Sequence, residues 1–99
     1  MPYRNLDEVK GRNAARGDYW FSPDTLAFFE SRIPNEIIVA GEGAYFVSRE
    51  TNPSKVTMWT VRYADESGRV NTVGEFFAHS TKAEAVKAAQ EAATAGVTE

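Results

Sequence analysis

The stretch KVTMWTVRYADESGRVNTVGEFFAHSTKAEAVKAAQEAATA, residues 55–95, decides the fold. Val56 to Ala64 alternates, with Trp59, Val61 and Tyr63 on one face of an extended chain and Met58, Thr60 and Arg62 on the other. Asp65-Glu66-Ser67-Gly68 is a four-residue turn. Arg69 to Ala78 reads as the returning strand, with Val73 and Phe77 on one face and Val70 and Phe76 on the other. Gly74 inside it marks a bulge or a close backbone approach. Thr81-Lys82-Ala83-Glu84 then fits a capping box, in which hydroxyl and carboxylate satisfy free amides reciprocally. In the helix that follows, Val86, Ala89 and Ala93 share a face flanked by Ala85 and Ala92, narrow enough to lie close on a sheet. Glu84, Lys87 and Glu91 point to water. Gly96 ends the helix, and residues 97–99 read as a frayed tail.

Upstream, residues 36–40 are rich in β-branched side chains and predict a strand. Gly41-Glu42-Gly43 is a hairpin connection. Residues 44–50 resume as a strand, with Tyr45 and Val47 on one face and Phe46 and Ser48 on the other, and residues 51–54 form a loop. Before these lies a helix start, Ser22-Pro23-Asp24-Thr25, preceded by the triplet Tyr19-Trp20-Phe21. Leu26, Phe29 and Ile33 share one helix face, widened by Phe28, and Pro34-Asn35 stops the run. Residues 4–16 place Leu6, Val9 and Asn13 at helical spacing, but Gly11 weakens a helix there by about 1 kcal/mol.

The elements predict an α+β fold, an antiparallel three- to four-stranded meander packed on helices at 23–32 and 81–95 in α-β-β-β-α order. Residues 18–96 form the domain, and residues 1–17 a basic arm or loose helix. Trp59, Val61 and Tyr63 are expected to face the helices, in one core with Leu26, Phe29, Val73, Val86 and Ala89.

Composition sets the function classes. The 99 residues include no cysteine, which excludes disulfides and thiolate-ligated zinc, and a net charge of −3 provides no general field for phosphate backbones. No run reaches the roughly 18–20 apolar residues of a membrane helix. The polar N-terminal stretch lacks the apolar segment of a secretory signal, so the cytoplasm is the expected compartment and no membrane partner is expected.

The chain resembles a family of small proteins found in bacteriophages and in bacterial genomes that carry mobile elements. The resemblance rests on ARGDYWFSPDTLAFFESRI at 15–33, AYFVSRE at 44–50 and WTVRYADESGRVNTVGEFFAHSTKAEA at 59–85, about four fifths of the chain. It implies a phage or prophage origin and a host-cytoplasm workplace, and lends no catalytic residues. The C-terminal half also looks like two β-β-β-α nucleic-acid-binding modules. The final helix is similar in spacing to that of double-stranded RNA-binding domains, but only Lys82 of their basic cluster is present, with Ala83 and Val86 at the matching positions. The pattern W-x-V-R-Y-x-D-x-x-G is similar to phage integrase arm-binding domains, whose sheet enters the major groove. That resemblance points to Arg62 and Arg69, beside Glu66 and Glu75, which would repel phosphate.

No catalytic, cofactor-binding or metal-binding set is completed. His79 is the only histidine, and Glu36, Glu42 and Glu50 are spread along one hairpin. A surplus of apolar residues on both faces of 44–47, and at Phe76-Phe77, points to aromatics left for a partner, with Tyr45, Phe46 and Phe76 as candidates. The expectation is a non-enzymatic binding protein without cofactor, acting on a host protein or associating with itself. The alternative is a DNA-binding accessory module using Arg62 and Arg69 on the sheet with Arg12 and Arg16 in the basic N-terminal arm.

Overall fold

A computed structural model describes residues 3–27 and 30–96. The architecture is α+β. Helix α1 (Leu6–Ala15) and the short helix α2 (Pro23–Ala27) precede strands β1 (Ile38–Ala40), β2 (Gly43–Thr51), β3 (Thr57–Ala64) and β4 (Val70–Val73), and helix α3 (Lys82–Gly96) closes the chain. The four strands form one antiparallel meander in the order β1-β2-β3-β4. β2 and β3 are its centre, in register from Ala44 opposite Ala64 to Thr51 opposite Thr57.

Period two divides the side chains of β2 and β3 between two faces, and both are covered. One face packs on α3. Val47 and Val61 are buried there with Ala85 and Ala89 of the helix, and Ile38, Tyr45, Trp59, Val73 and Val86 close around them. The alanine stripe lets α3 lie low on the sheet, as its spacing predicts. Thr81 caps the helix by accepting from the Glu84 amide at 3.1 Å, while the Glu84 carboxylate accepts from the Ser80 hydroxyl at 3.1 Å.

The other face carries Ala44, Phe46 and Ala64, buried with Tyr3, Leu6 and Val9, and Trp20, Phe21, Ile33, Ile37 and Val70 pack around this second core. Residues 3–15 are thus part of the fold, not a solvated basic arm. Asn5 caps α1 by accepting from the Glu8 amide at 3.0 Å. Leu6, Val9 and Asn13 form its buried stripe. Each buried apolar side chain contributes about 1.5–3 kcal/mol, which outweighs the roughly 1 kcal/mol that Gly11 costs the helix.

The end of α1 is seated on the β3–β4 turn. The Asn13 side chain donates to the Gly68 carbonyl at 2.9 Å and accepts from the Trp20 amide at 2.6 Å, tying helix, turn and the 18–34 segment together. The Tyr3 hydroxyl donates to the Asp65 carbonyl. Gly68, with φ +94°, sits so close to α1 that a Cβ there would lie 2.5 Å from the Arg12 carbonyl carbon.

Three boundaries and one core assignment differ from the sequence reading. Helix α2 ends at Ala27 in the described chain, Glu30 has φ +48°, and Arg32 is extended and exchanges backbone hydrogen bonds with Arg49, while Pro34 keeps Ile33 before it out of the helical region. Phe28 and Phe29 lie outside the described residues. Leu26, expected beside Trp59, lies instead on the opposite side of the sheet, near Trp20, Glu50 and Arg62. β1 is shorter than predicted, starting at Ile38. β4 does not run to Ala78. It stops at Val73 before Gly74, whose φ is +73°.

Two substitutions and one control check this arrangement by urea unfolding. Leu6→Ala is expected to cost about 2–5 kcal/mol, as for any core leucine, whereas a solvated arm would show no change. Gly68→Ala, forced into positive φ against the α1 backbone, is expected to cost about 1–3 kcal/mol. Gly41→Ala, with open space around it, isolates the backbone part of that cost.

Candidate binding cleft

The interruption of β4 builds the most distinctive site. Val61 pairs with Val73, and Trp59 pairs with His79, exchanging N–H···O bonds at 2.7 and 3.0 Å. Two steps along β3 (59 to 61) are matched by six along the opposing chain (73 to 79), four more than an unbroken ladder needs. The five residues between, 74–78, arch over the face opposite α3. There the Phe77 amide donates to the Thr60 hydroxyl at 2.9 Å, and Phe76 lies over Arg62. Bulges of this kind re-aim side chains beside functional sites.

The arch forms one wall of an open cleft of about 460 Å³, lined by Trp20, Asp24, Thr25, Leu26, Ser31, Glu50, Arg62 and Phe76. Trp20, Asp24, Thr25, Leu26 and Ser31 form the opposite wall. Ser22 accepts from the Thr25 amide at 3.3 Å, which starts α2 and sets Asp24 and Thr25 along the rim.

The floor is a polar network on an otherwise apolar sheet. Glu50 is 1% and Arg62 8% exposed. Arg62 Nη2 donates to Glu50 Oε2 at 3.3 Å, Nε donates to the Ser48 hydroxyl at 3.0 Å, and Nη1 donates to the Thr72 hydroxyl. Thr60 donates to Glu50 Oε1 at 2.8 Å. Trp20 and Phe76 place their ring centroids 5.2 and 5.4 Å from the guanidinium carbon, within cation–π range. Burial pulls the Arg62 guanidinium below its ordinary pKa, and the Glu50 carboxylate offsets part of that. Every side-chain oxygen and nitrogen of the pair has a hydrogen-bond partner, which offsets the cost of burying it.

Backbone strain gathers at the same place. Among the described residues, four non-glycine residues have positive φ: Tyr19, Glu30, Lys55 and Phe77. Three of them adjoin a cleft-lining residue, Tyr19 beside Trp20, Glu30 beside Ser31 and Phe77 beside Phe76. Left-handed backbone costs a non-glycine residue roughly 1–2 kcal/mol, and such costs cluster at functional sites.

The sequence-predicted residues are scattered by the fold. Of the three aromatic candidates, Phe76 is in the cleft wall and 44% exposed. Phe46 is a correction: at 2% exposure it belongs to the core, packed on Trp20 and Phe21 at 5.9 and 5.7 Å between centroids. Tyr45 is half-buried on the α3 side against Tyr63, 4.8 Å away. Of the four arginines, Arg62 is a second correction, consumed by the cleft floor and not presented on a sheet surface. Arg12 and Arg16 are brought to the β3–β4 turn, where they donate to the Glu66 carbonyl at 3.1 Å and the Ser67 hydroxyl at 2.6 Å. Arg12 also lies over the Tyr3 ring, and Arg16 pairs with Asp18 at 2.9 Å. Arg69, at the end of that turn, is exposed.

Glu50, Asp24 and Ser31 were not singled out as partners in a site. The available signal was that Ser48 and Glu50 share a strand face with Thr60 and Arg62 directly or diagonally opposite. Among the described residues no group of three or more His, Asp or Glu is placed to hold a metal ion, and no helix is long and apolar enough to cross a membrane.

With this geometry in place, comparison with known proteins gives one finding. Residues 5–90 match a family of unknown function, DUF7447. The chain belongs to that family. The match takes in every residue that lines the cleft. No curated protein and no solved structure matches the chain.

The floor network makes a stability prediction. Glu50→Ala leaves the Arg62 charge buried and is expected to cost about 3–5 kcal/mol. The pair replacement Glu50→Leu with Arg62→Met restores most of that loss in thermal unfolding, because both charges leave together.

Proposed function

We propose that this protein is a non-catalytic binding protein that engages a partner protein through the cleft between the wall of Trp20, Asp24, Thr25, Leu26 and Ser31 and the 74–78 arch. The observation that carries the reading is Phe76. Four residues beyond the needs of the sheet, and a positive φ at Phe77, hold a 44% exposed aromatic ring over a rigid polar floor. A large ring kept at the rim of a desolvated pocket is the usual form of an interface anchor. The partner is a host protein or a second copy of the chain, the former in keeping with the phage or mobile-element origin that the sequence resemblance implies, and with a cytoplasmic workplace.

The DNA-binding alternative draws less support. Arg62 is neutralised by Glu50, and Arg12 and Arg16 are already engaged at the β3–β4 turn. The remaining exposed arginine of that set, Arg69, gives too few phosphate contacts for strong binding under a net charge of −3.

Affinity capture from the lysate of a bacterial host, alongside light scattering of the purified chain, tests the proposal. Wild type is expected to retain a protein partner or to run as a dimer, and Phe76→Asp to lose that association while its circular-dichroism spectrum stays native. Equal retention by Phe76→Asp, or small-molecule turnover without any association, overturns the reading.

A further inference from the structure

A second feature lies on the other face of the sheet and does not rest on the cleft. Arg32 and Arg49 exchange both backbone N–H···O bonds, each at 2.8 Å. Residues paired in this way send their side chains to the same face, with Cα atoms roughly 5.5 Å apart. Arg49 alternates with Val47, so this is the face on which α3 lies. Both arginines are exposed. Among the described residues neither forms an ion pair or a side-chain hydrogen bond.

Like charges directly opposite each other destabilise a sheet. Beside Arg49 and Trp59 that face carries Val47, Val61 and the hydroxyl pair Thr51 and Thr57, and Glu30, two residues before Arg32, pairs with Lys55 at 3.8 Å. The nearest acidic side chains of the 34–36 and 80–84 segments are engaged, Glu36 with Lys82 at 2.7 Å and Glu84 with Ser80 at 3.1 Å. The pairing continues across the sheet, since Arg49 is opposite Trp59 and Trp59 is opposite His79. One row thus reads Arg32, Arg49, Trp59, His79. Trp59 is half-buried.

We infer that this row binds a phosphate monoester carried on a planar ring, the chemistry of a nucleoside monophosphate. A monoester carries about −1.5 to −2 charge and three acceptor oxygens. It matches two guanidinium forks, each able to donate two parallel hydrogen bonds. A single carboxylate would leave one arginine uncompensated. The indole next in the row offers a stacking surface for the ring.

Nuclear magnetic resonance of the full ¹⁵N-labelled chain tests the inference, with adenosine monophosphate, ribose 5-phosphate and inorganic phosphate as separate titrants. Saturable shifts are expected at Arg32, Arg49, the Trp59 indole and His79, with adenosine monophosphate binding most tightly. Arg32→Gln and Arg49→Gln are each expected to weaken it at least about tenfold. Their melting temperatures should stay at or above wild type, because a like-charge pair is removed, so the loss reads binding and not folding. Absence of saturable shifts at these residues with all three titrants overturns the site, as does equal affinity in the doubly substituted chain. Adenosine monophosphate binding no more tightly than inorganic phosphate overturns the role given to Trp59.

Discussion

Strands β2 and β3 carry apolar side chains on both faces, and neither face can be left to water. The remaining elements are arranged by that constraint. One long helix suffices for the face of Val47 and Val61. The face of Ala44, Phe46 and Ala64 has no comparable helix, so it is closed by smaller pieces: Tyr3, α1 and the aromatic pair Trp20 and Phe21. These pieces need fastening, and Asn13 supplies it. Its amide joins α1, the β3–β4 turn and the start of the 18–34 segment through two buried hydrogen bonds, each costly to leave unmade.

The patchwork cover does not reach the whole face. Where it runs out, the strands change from apolar to polar, with Ser48, Glu50, Thr60 and Arg62 in place of Ala and Phe. The ion pair there is not the cheapest way to fill a core, since matched apolar residues of similar volume often do as well or better. Its value lies in defining one arrangement of the cleft floor, with each donor and acceptor committed. Trp20 and Phe76 then stand at fixed distances above a fixed charge.

Much of this was legible in the sequence, and the failures have definite causes. The alternation of Trp59, Val61 and Tyr63 and the alanine stripe of the last helix depend on local periodicity, and both gave the correct face. The role of α1 was obscured because its buried stripe is only three residues long, one of them Asn13, and Gly11 interrupts it. A polar residue reads as surface unless its partners are known, and here the partners are 7 and 55 residues away. Phe46 was misplaced for a related reason. A two-layer picture left its face uncovered, and the docking of α1 together with Trp20 and Phe21 covers it. Within β4, Phe76 and Phe77 looked like two faces of one strand. Positive φ at Gly74 and Phe77 turns both out of the ladder, and no period in the sequence records that.

The arch has an architectural consequence. It is pinned at both ends by strand pairing, Val61 with Val73 before it and Trp59 with His79 after it. Its five residues can therefore lengthen, shorten or change composition without altering the register of β3 or the start of α3. Only the shape of one cleft wall responds. The fold in this sense separates a paired frame from the segment strung between its two pins, much as an antibody domain holds its loops, and sequence change confined to residues 74–78 is a route by which a chain of this architecture reshapes that wall without relearning how to fold.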